Sequence, residues 1–211
     1  MSTTSELSSV IWSAADDVLR GLFKPSEYGR VILPFVVMRR LDCVLEPKKD
    51  EIFDLYEKYG QADYIGEPVS QIEHMCQSAM LAEEEGYDEE VVLAAFFHDI
   101  GHLCEFIMPV SNMEGVGVLD HESIGQQFLS DRGFSNRITK LVNGHVAAKR
   151  YLTYKYPDYF NKLSDASKLT LTHQGGVMTE TEAIEFESDH MFDLYLKMRT
   201  WDDHAKIVGI P

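Results

Sequence analysis

Val91-Val-Leu-Ala-Ala-Phe-Phe97 is an unbroken apolar run, and it closes on His98-Asp99-Ile-Gly-His102. A helix that is apolar on every side belongs inside a core. Ending such a helix on an imidazole and a carboxylate costs several kcal/mol unless hydrogen bonds or a cation compensate. A metal ion would compensate both groups, and a carboxylate has two oxygens with which to bridge two ions. Taken alone, His98 and Asp99 have a simpler reading as a polar pair closing a helix end. The choice therefore depends on whether other donors recur in the same kind of setting.

They do recur. His74 lies in Ile72-Glu-His-Met-Cys76, His121 follows Asp120 at an expected helix start, and His145 sits within the apolar Leu141-Val-Asn-Gly-His-Val-Ala-Ala148. Asp202 follows Trp201 near the C-terminus. Each is more often a core residue than a ligand when met singly. Helices of an α bundle, however, can each present one donor to a shared centre. Imidazoles and carboxylates without thiolate suit iron, manganese or similar ions. Three scattered cysteines, Cys43, Cys76 and Cys104, with no C-x-x-C pair, give no zinc-thiolate framework and fit a reducing compartment.

The periodicity is helical nearly throughout, so an all-α fold is expected. Ser5 starts an amphipathic stretch that Gly21 ends, and a second apolar segment from Tyr28 to Leu45 is interrupted by Pro34. Within that segment, 31–37 could also form a short strand. Asp50 opens a helix toward Gly60. Ser70 and Asp88 cap the next two, which run to about Gly86 and Gly101. Further helices are expected near 122–131, from Ser135 to about Tyr156, from Ser164 toward Gly175, and from the Thr179-Glu-Thr-Glu182 capping box toward Arg199.

Composition narrows the partners. Of 35 acidic and 19 basic side chains, the first 50 residues hold seven of each, so the whole formal charge of −16 falls on the remainder. Such a surface repels phosphate backbones, so nucleic-acid binding is not expected. No apolar stretch approaches the roughly 20 residues of a membrane span, and the N-terminus lacks a signal-peptide pattern. A cytoplasmic protein without membrane association is the expectation.

His74, His98-Asp99 and Asp202 together resemble the His…His-Asp…Asp pattern of the HD-domain superfamily, and His121 with His145 resembles its six-ligand di-metal version. Tyr64-Ile-Gly-Glu67 is similar to the Tyr-x-x-Glu element of the mixed-valence di-iron oxygenases. His145-Val-Ala-Ala-Lys149-Arg-Tyr-Leu, Leu163-Ser-Asp-Ala-Ser167, Thr170-Leu, Gln174-Gly-Gly and Arg199-x-Trp-Asp202 resemble the branch that cleaves carbon–phosphorus bonds, a relative of myo-inositol oxygenase. The resemblance spans about residues 50 to 208.

It implies an HD-domain helical bundle over 50–211 and a pair of iron ions, Fe(II)/Fe(III), with O2 as co-substrate. One iron would be held by His74, His98, Asp99 and Asp202, the other by Asp99, His121 and His145. Tyr64 would cap the resting site and swing away with Glu67, whose carboxylate would meet a substrate's cationic amine. The expected substrate is a small organophosphonate, 1-hydroxy-2-aminoethylphosphonate or its N-trimethyl analogue. It would be cleaved to phosphate and glycine or glycine betaine. Independently of the family, Lys149 is one turn beyond His145 and Arg199 is three residues before Asp202. With Ser167, Thr170 and Gln174 they form a set suited to a dianion. His102 is expected to bond the same oxyanion or to act in proton transfer. His173, His190 and His204 lie outside the pattern. An HD phosphohydrolase acting on a phosphate ester would use the same six ligands and is the alternative.

Residues 5–49, including Ser26-Glu-Tyr-Gly-Arg-Val-Ile-Leu-Pro-Phe-Val-Val, resemble instead the opening helices of the modification subunit of type I restriction–modification systems. The chain has no Asn-Pro-Pro-aromatic motif and no glycine-rich turn for S-adenosylmethionine, so methyltransferase activity is not expected. Residues 1–49 are therefore read as a helical N-terminal extension. A module that binds a partner through this extension, with the HD part vestigial, is a third reading.

Overall fold

The computed structural model describes residues 49–64 and 66–209. The two N-terminal segments expected before Leu45, together with Cys43, lie outside the described residues. Among those described, ten α-helices and one 3-10 turn are present, with isolated bridges and no named strand. The all-α expectation holds. The helices are α1 (Lys49–Tyr59), α2 (Gln71–Glu84), α3 (Glu89–Phe97), α4 (Ile100–Leu103), α5 (His121–Ser130), α6 (Asn136–Lys155), α7 (Pro157–Lys162), α8 (Asp165–His173), α9 (Glu180–Glu187) and α10 (Phe192–His204).

The expected caps are in place. Ser70 and Thr179 each form a full capping box, with Glu73 and Glu182. Asp88, Ser135 and Ser164 each accept a backbone N–H of the first turn. Helices α2, α3, α6 and α10 pack around one core that includes Met75, Ala79, Phe96, Phe97, Leu141, Tyr195 and Trp201, while α5 lies against α4 and α6. All six candidate metal donors are carried by these helices or by the junction between α3 and α4.

Apart from the helix capped by Asp88, which stops at Phe97 rather than near Gly101, the structure differs from the sequence reading in two places. The helix opened by Thr179 stops at Glu187, and Arg199 belongs to a new helix, α10. Asp189 explains the break, because its Oδ1 accepts the Met191 N–H at 2.8 Å and offers the backbone a local alternative to the helix. The second difference is α7, whose first residue is Pro157, a position where the missing N–H costs nothing.

Candidate metal centre

The apolar helix α3 ends at Phe97, Asp99 adopts φ −105 and ψ 11, and α4 starts at Ile100. Neighbouring residues of an unbroken helix point about 100° apart. The break at Asp99 lets His98 and Asp99 serve one centre. α4 in turn meets the start of α5 at very short range, since a Cβ on Gly101 would lie 1.9 Å from the His121 carbonyl oxygen. Only a glycine permits that approach, which brings His121 to Asp99. Asp120, just before it, has a left-handed backbone with φ 56, a conformation disfavoured for residues other than glycine.

The six donors are each no more than 3% exposed. Asp99 stands between two histidine pairs. Its Oδ2 lies 3.5 Å from His74 Nε2 and 3.4 Å from His98 Nε2; its Oδ1 lies 3.2 Å from His121 Nε2 and 3.4 Å from His145 Nε2. Asp202 Oδ1 is 3.5 Å from His74 Nε2. The donor atoms thus form two groups, His74–His98–Asp99 and Asp99–His121–His145, sharing one carboxylate.

The tautomers show what these groups lack. His74 Nδ1 is 2.8 Å from the Ala205 carbonyl, and His98 Nδ1 is 2.7 Å from that of Ala95. A carbonyl only accepts, so both Nδ1 atoms are protonated and each ring, when neutral, presents a lone pair at Nε2. Those two Nε2 atoms are 3.0 Å apart. His145 repeats the arrangement, with Nδ1 2.6 Å from the Val142 carbonyl and Nε2 3.1 Å from His121 Nε2. His121 Nδ1 lies 3.5 Å from the Glu122 carboxylate but makes no hydrogen bond to it, so its ring is not oriented in the same way. Lone pairs brought this close repel unless a cation lies between them, and second partners at Nδ1 are how metal-bound imidazoles are oriented. The residues therefore fit two metal ions.

The electrostatics agree. Burial opposes charge on His98, yet the Asp99 carboxylate, helped by Asp202, outweighs it and lifts the imidazole to about 9. Burial alone would raise Asp99, but His98 and the other three imidazoles hold it well below the usual carboxylate range. Positive charge is favoured on His98, whereas burial pulls the His145 imidazole down. Asp202 is held by Arg199, whose Nη1 donates to Oδ2 at 2.5 Å, and its Oδ1 is buried without a hydrogen-bond partner, facing His74.

The expected substrate set lines a cavity beside this centre, together with Tyr64, Glu67 and His102. Lys149 Nζ donates to Thr170 Oγ1 at 2.7 Å and to Gln174 Oε1 at 2.8 Å, leaving one N–H for a ligand. Burial, with the nearby Arg199 charge, pulls its ammonium down to about 7. Arg199 is more heavily engaged. It also donates to Tyr159 at 2.8 Å, weakly to Ser167 at 3.4 Å, and in a very short contact to Asp203. Tyr159 and Asp203 were missed from sequence; only the tandem Asp202-Asp203 hinted at a second carboxylate near Arg199.

Tyr64 stacks flat on His74, with ring centroids 4.0 Å apart, and burial and the Asp99 charge raise its phenol well above the ordinary value. His102 stacks on His121 at 4.1 Å and accepts the Val118 N–H at Nδ1, which places its own proton on Nε2. Burial and the adjacent His121 hold its pKa near 3. It is thus a neutral ring with its donor at Nε2, and it lines the cavity. His190 and His204 are exposed and His173 half-buried, none of them lining the cavity.

Comparison with known proteins identifies the architecture. The HD domain family matches residues 72–208. The chain belongs to the HD-domain family. Residues 7–93 match the HsdM N-terminal domain, a span that begins where sequence reading placed that resemblance and runs on through α1, α2 and into α3 of the HD bundle. Uncharacterized protein L432 of Acanthamoeba polyphaga mimivirus is 46% identical over 158 residues, 75% of this chain and 72% of that one. The glycine-betaine-forming 1-hydroxy-2-(trimethylamino)ethylphosphonate dioxygenase of Leisingera caerulea is 40% identical, covering 72% of this HD-domain chain and 76% of its own. Hydroxymethylphosphonate dioxygenase of Gimesia maris is 38% identical, covering 75% and 78%. The last two of these relatives are named as phosphonate dioxygenases, in line with the branch that the sequence motifs resemble. Among the described residues no helix is long and apolar enough to cross a membrane.

Proposed function

We propose that this HD-domain protein is an O2-dependent di-iron oxygenase. It would cleave the carbon–phosphorus bond of 1-hydroxy-2-aminoethylphosphonate or its N-trimethyl analogue, releasing phosphate and glycine or glycine betaine. The observation that carries the reading is Asp99 set between two pairs of imidazole lone pairs, with the buried Lys149 beside it. His74, His98, Asp99 and Asp202 would hold one iron, and Asp99, His121 and His145 the other. Iron bound there supplies one-electron exchange with O2 and a Lewis-acidic seat for substrate oxygens.

The protein's own groups bind and orient. Lys149 offers its remaining N–H to a phosphonate oxygen, and Thr170 and Gln174 keep the ammonium aimed. Arg199 contributes charge, but its donors are shared among Asp202, Asp203, Tyr159 and Ser167, so its main part is to fix the Asp202 carboxylate within that network. His102 donates from Nε2. Tyr64 covers His74 and keeps water from it until substrate displaces the ring. Holding the C1 hydroxyl and the phosphonate in one orientation is the kind of positioning that accounts for much of an enzyme's rate. The overall reaction is balanced without a reductant: hydroxyphosphonate and O2 give a carboxylate, phosphate and a proton, with the substrate supplying all the electrons that O2 accepts.

The test is phosphate release by the iron-loaded protein from 2-amino-1-hydroxyethylphosphonate and its trimethyl analogue, with and without O2. Release is expected only with O2. Equal release under anaerobic conditions would overturn the oxygenase reading and leave hydrolysis in its place.

A further inference from the structure

The Tyr64–Glu67 segment is a tight turn. Glu67 N–H donates to the Tyr64 carbonyl at 2.9 Å, and Gly66 has φ +81, a conformation that favours glycine. The turn also packs closely on α8, because a Cβ on Gly66 would lie 2.5 Å from the Ala166 Cβ. At its end the Glu67 carboxylate is already engaged. Its Oε1 accepts from Lys206 Nζ at 2.7 Å and from Ser164 Oγ, the cap of α8, also at 2.7 Å. Side-chain exposures of 19% for Lys206 and 11% for Glu67 make this a largely desolvated pair, and the same ammonium lies 5.8 Å from the centroid of the Tyr64 ring.

Lys206 does not reach Glu67 by chance of a loose tail. The segment after α10 is strapped to α2: Ala205 accepts from His74, while Gln77 both donates to the Ile207 carbonyl and accepts its N–H, each at 2.9 Å. Lys206 is therefore presented from a fixed backbone to the rim of the cavity that Glu67, Tyr64, Lys149 and Arg199 also line.

We infer that Lys206 is a resident cation for Glu67, holding the Tyr64 turn closed over the metal centre, and that a substrate's ammonium binds by taking its place. The inference rests on the proposed function and makes Lys206 a positioning residue that sets the preference between cationic and amine-free hydroxyphosphonates. An ammonium entering beside an intact Glu67–Lys206 pair meets no net attraction. Once Lys206 is displaced, the carboxylate is free and the contact holding the turn is gone. A phosphonate without an amine has no means to displace Lys206.

The test compares anaerobic binding of 2-amino-1-hydroxyethylphosphonate and hydroxymethylphosphonate to the iron-loaded full chain by calorimetry. In Lys206→Met the uncompensated Glu67 should favour the amine ligand, shifting the ratio of the two Kd values by about tenfold or more. Lys206→Arg should restore the original ratio. In a Glu67→Gln background the Lys206→Met shift should vanish. Ser164→Ala, which removes the other donor to Glu67 without touching Lys206, should move the ratio in the same direction by a smaller factor. A ratio unchanged within about twofold in Lys206→Met, or a shift that persists in Glu67→Gln, overturns the inference while the proposed function stands. Binding of neither phosphonate to the wild-type protein would overturn both.

Discussion

Lys149 is the residue whose chemistry is most exposed to measurement. Burial favours its neutral amine, so in the empty cavity it carries charge below about pH 7 and loses it above. A bound dianion favours the ammonium and so returns the proton. Phosphonate binding near pH 8 should therefore take up a proton through Lys149, and this uptake should fade toward about pH 6. Calorimetry in buffers of different ionisation enthalpy reads it directly. Lys149→Met should abolish the Lys149 part of the uptake and weaken binding by about 10- to 100-fold, as loss of a charged hydrogen bond does. Asp99 predicts a different outcome. As the carboxylate shared by both histidine pairs, its change to Ala should lower the metal content of both sites, measured by elemental analysis, with helicity by circular dichroism retained.

Of the six candidate donors, His98-Asp99 was legible because it ends an unbroken apolar run and His145 because it sits inside another, whereas His121 and Asp202, next to acidic residues, were legible only through the ordered pattern they complete. Arg199 was legible as a cation near Asp202, but not as one already committed to Asp203 and Tyr159. Lys206 was not legible at all. Its partner Glu67 is 139 positions away, and nothing local to Lys206 distinguishes it from a solvated lysine.

At the scale of elements, the junctions carry more information than the helices. Caps at Ser70, Asp88, Ser135, Ser164 and Thr179 could be read in advance because a side chain and the N–H it accepts are neighbours in sequence. The break between α9 and α10 could not, since Asp189 competes with a helical path that the surrounding residues also allow. The α4–α5 crossing depends on Gly101, and its test is Gly101→Ala. The added methyl would collide with the His121 backbone, and such overpacking costs about 1–3 kcal/mol. A fall in Tm of roughly 2–4 °C per kcal/mol should follow. His121 should be pushed from Asp99, so metal in the His121–His145 group should be lost more readily than in the other. An unchanged Tm would mean that the two helices slide apart at no cost.

For the whole molecule, the main core and the cavity beside Asp99 are built from the described residues, and all six candidate donors are buried. A protein starting at Lys49 should consequently keep its helicity and its metal content. Loss of either on removing residues 1–48 would show that the HD bundle needs the preceding segment, as the match across 7–93 would then explain. The chain is acidic overall, yet Lys149, Arg199 and Lys206 all line the cavity, so its cations are gathered at the candidate site.

The strap between α2 and the segment after α10 has a consequence in time. His74 and the Ala205 carbonyl that orients it are 131 positions apart, and Asp202 lies just before that carbonyl. During synthesis the ribosome delivers His74, His98 and Asp99 long before either appears, at roughly 5–20 residues per second. Through those seconds the nascent chain has half a nest and no latch. The His74 side of the centre is thus closed last, when the C-terminal segment comes back across α2, whereas Asp99, His121 and His145 are all delivered earlier.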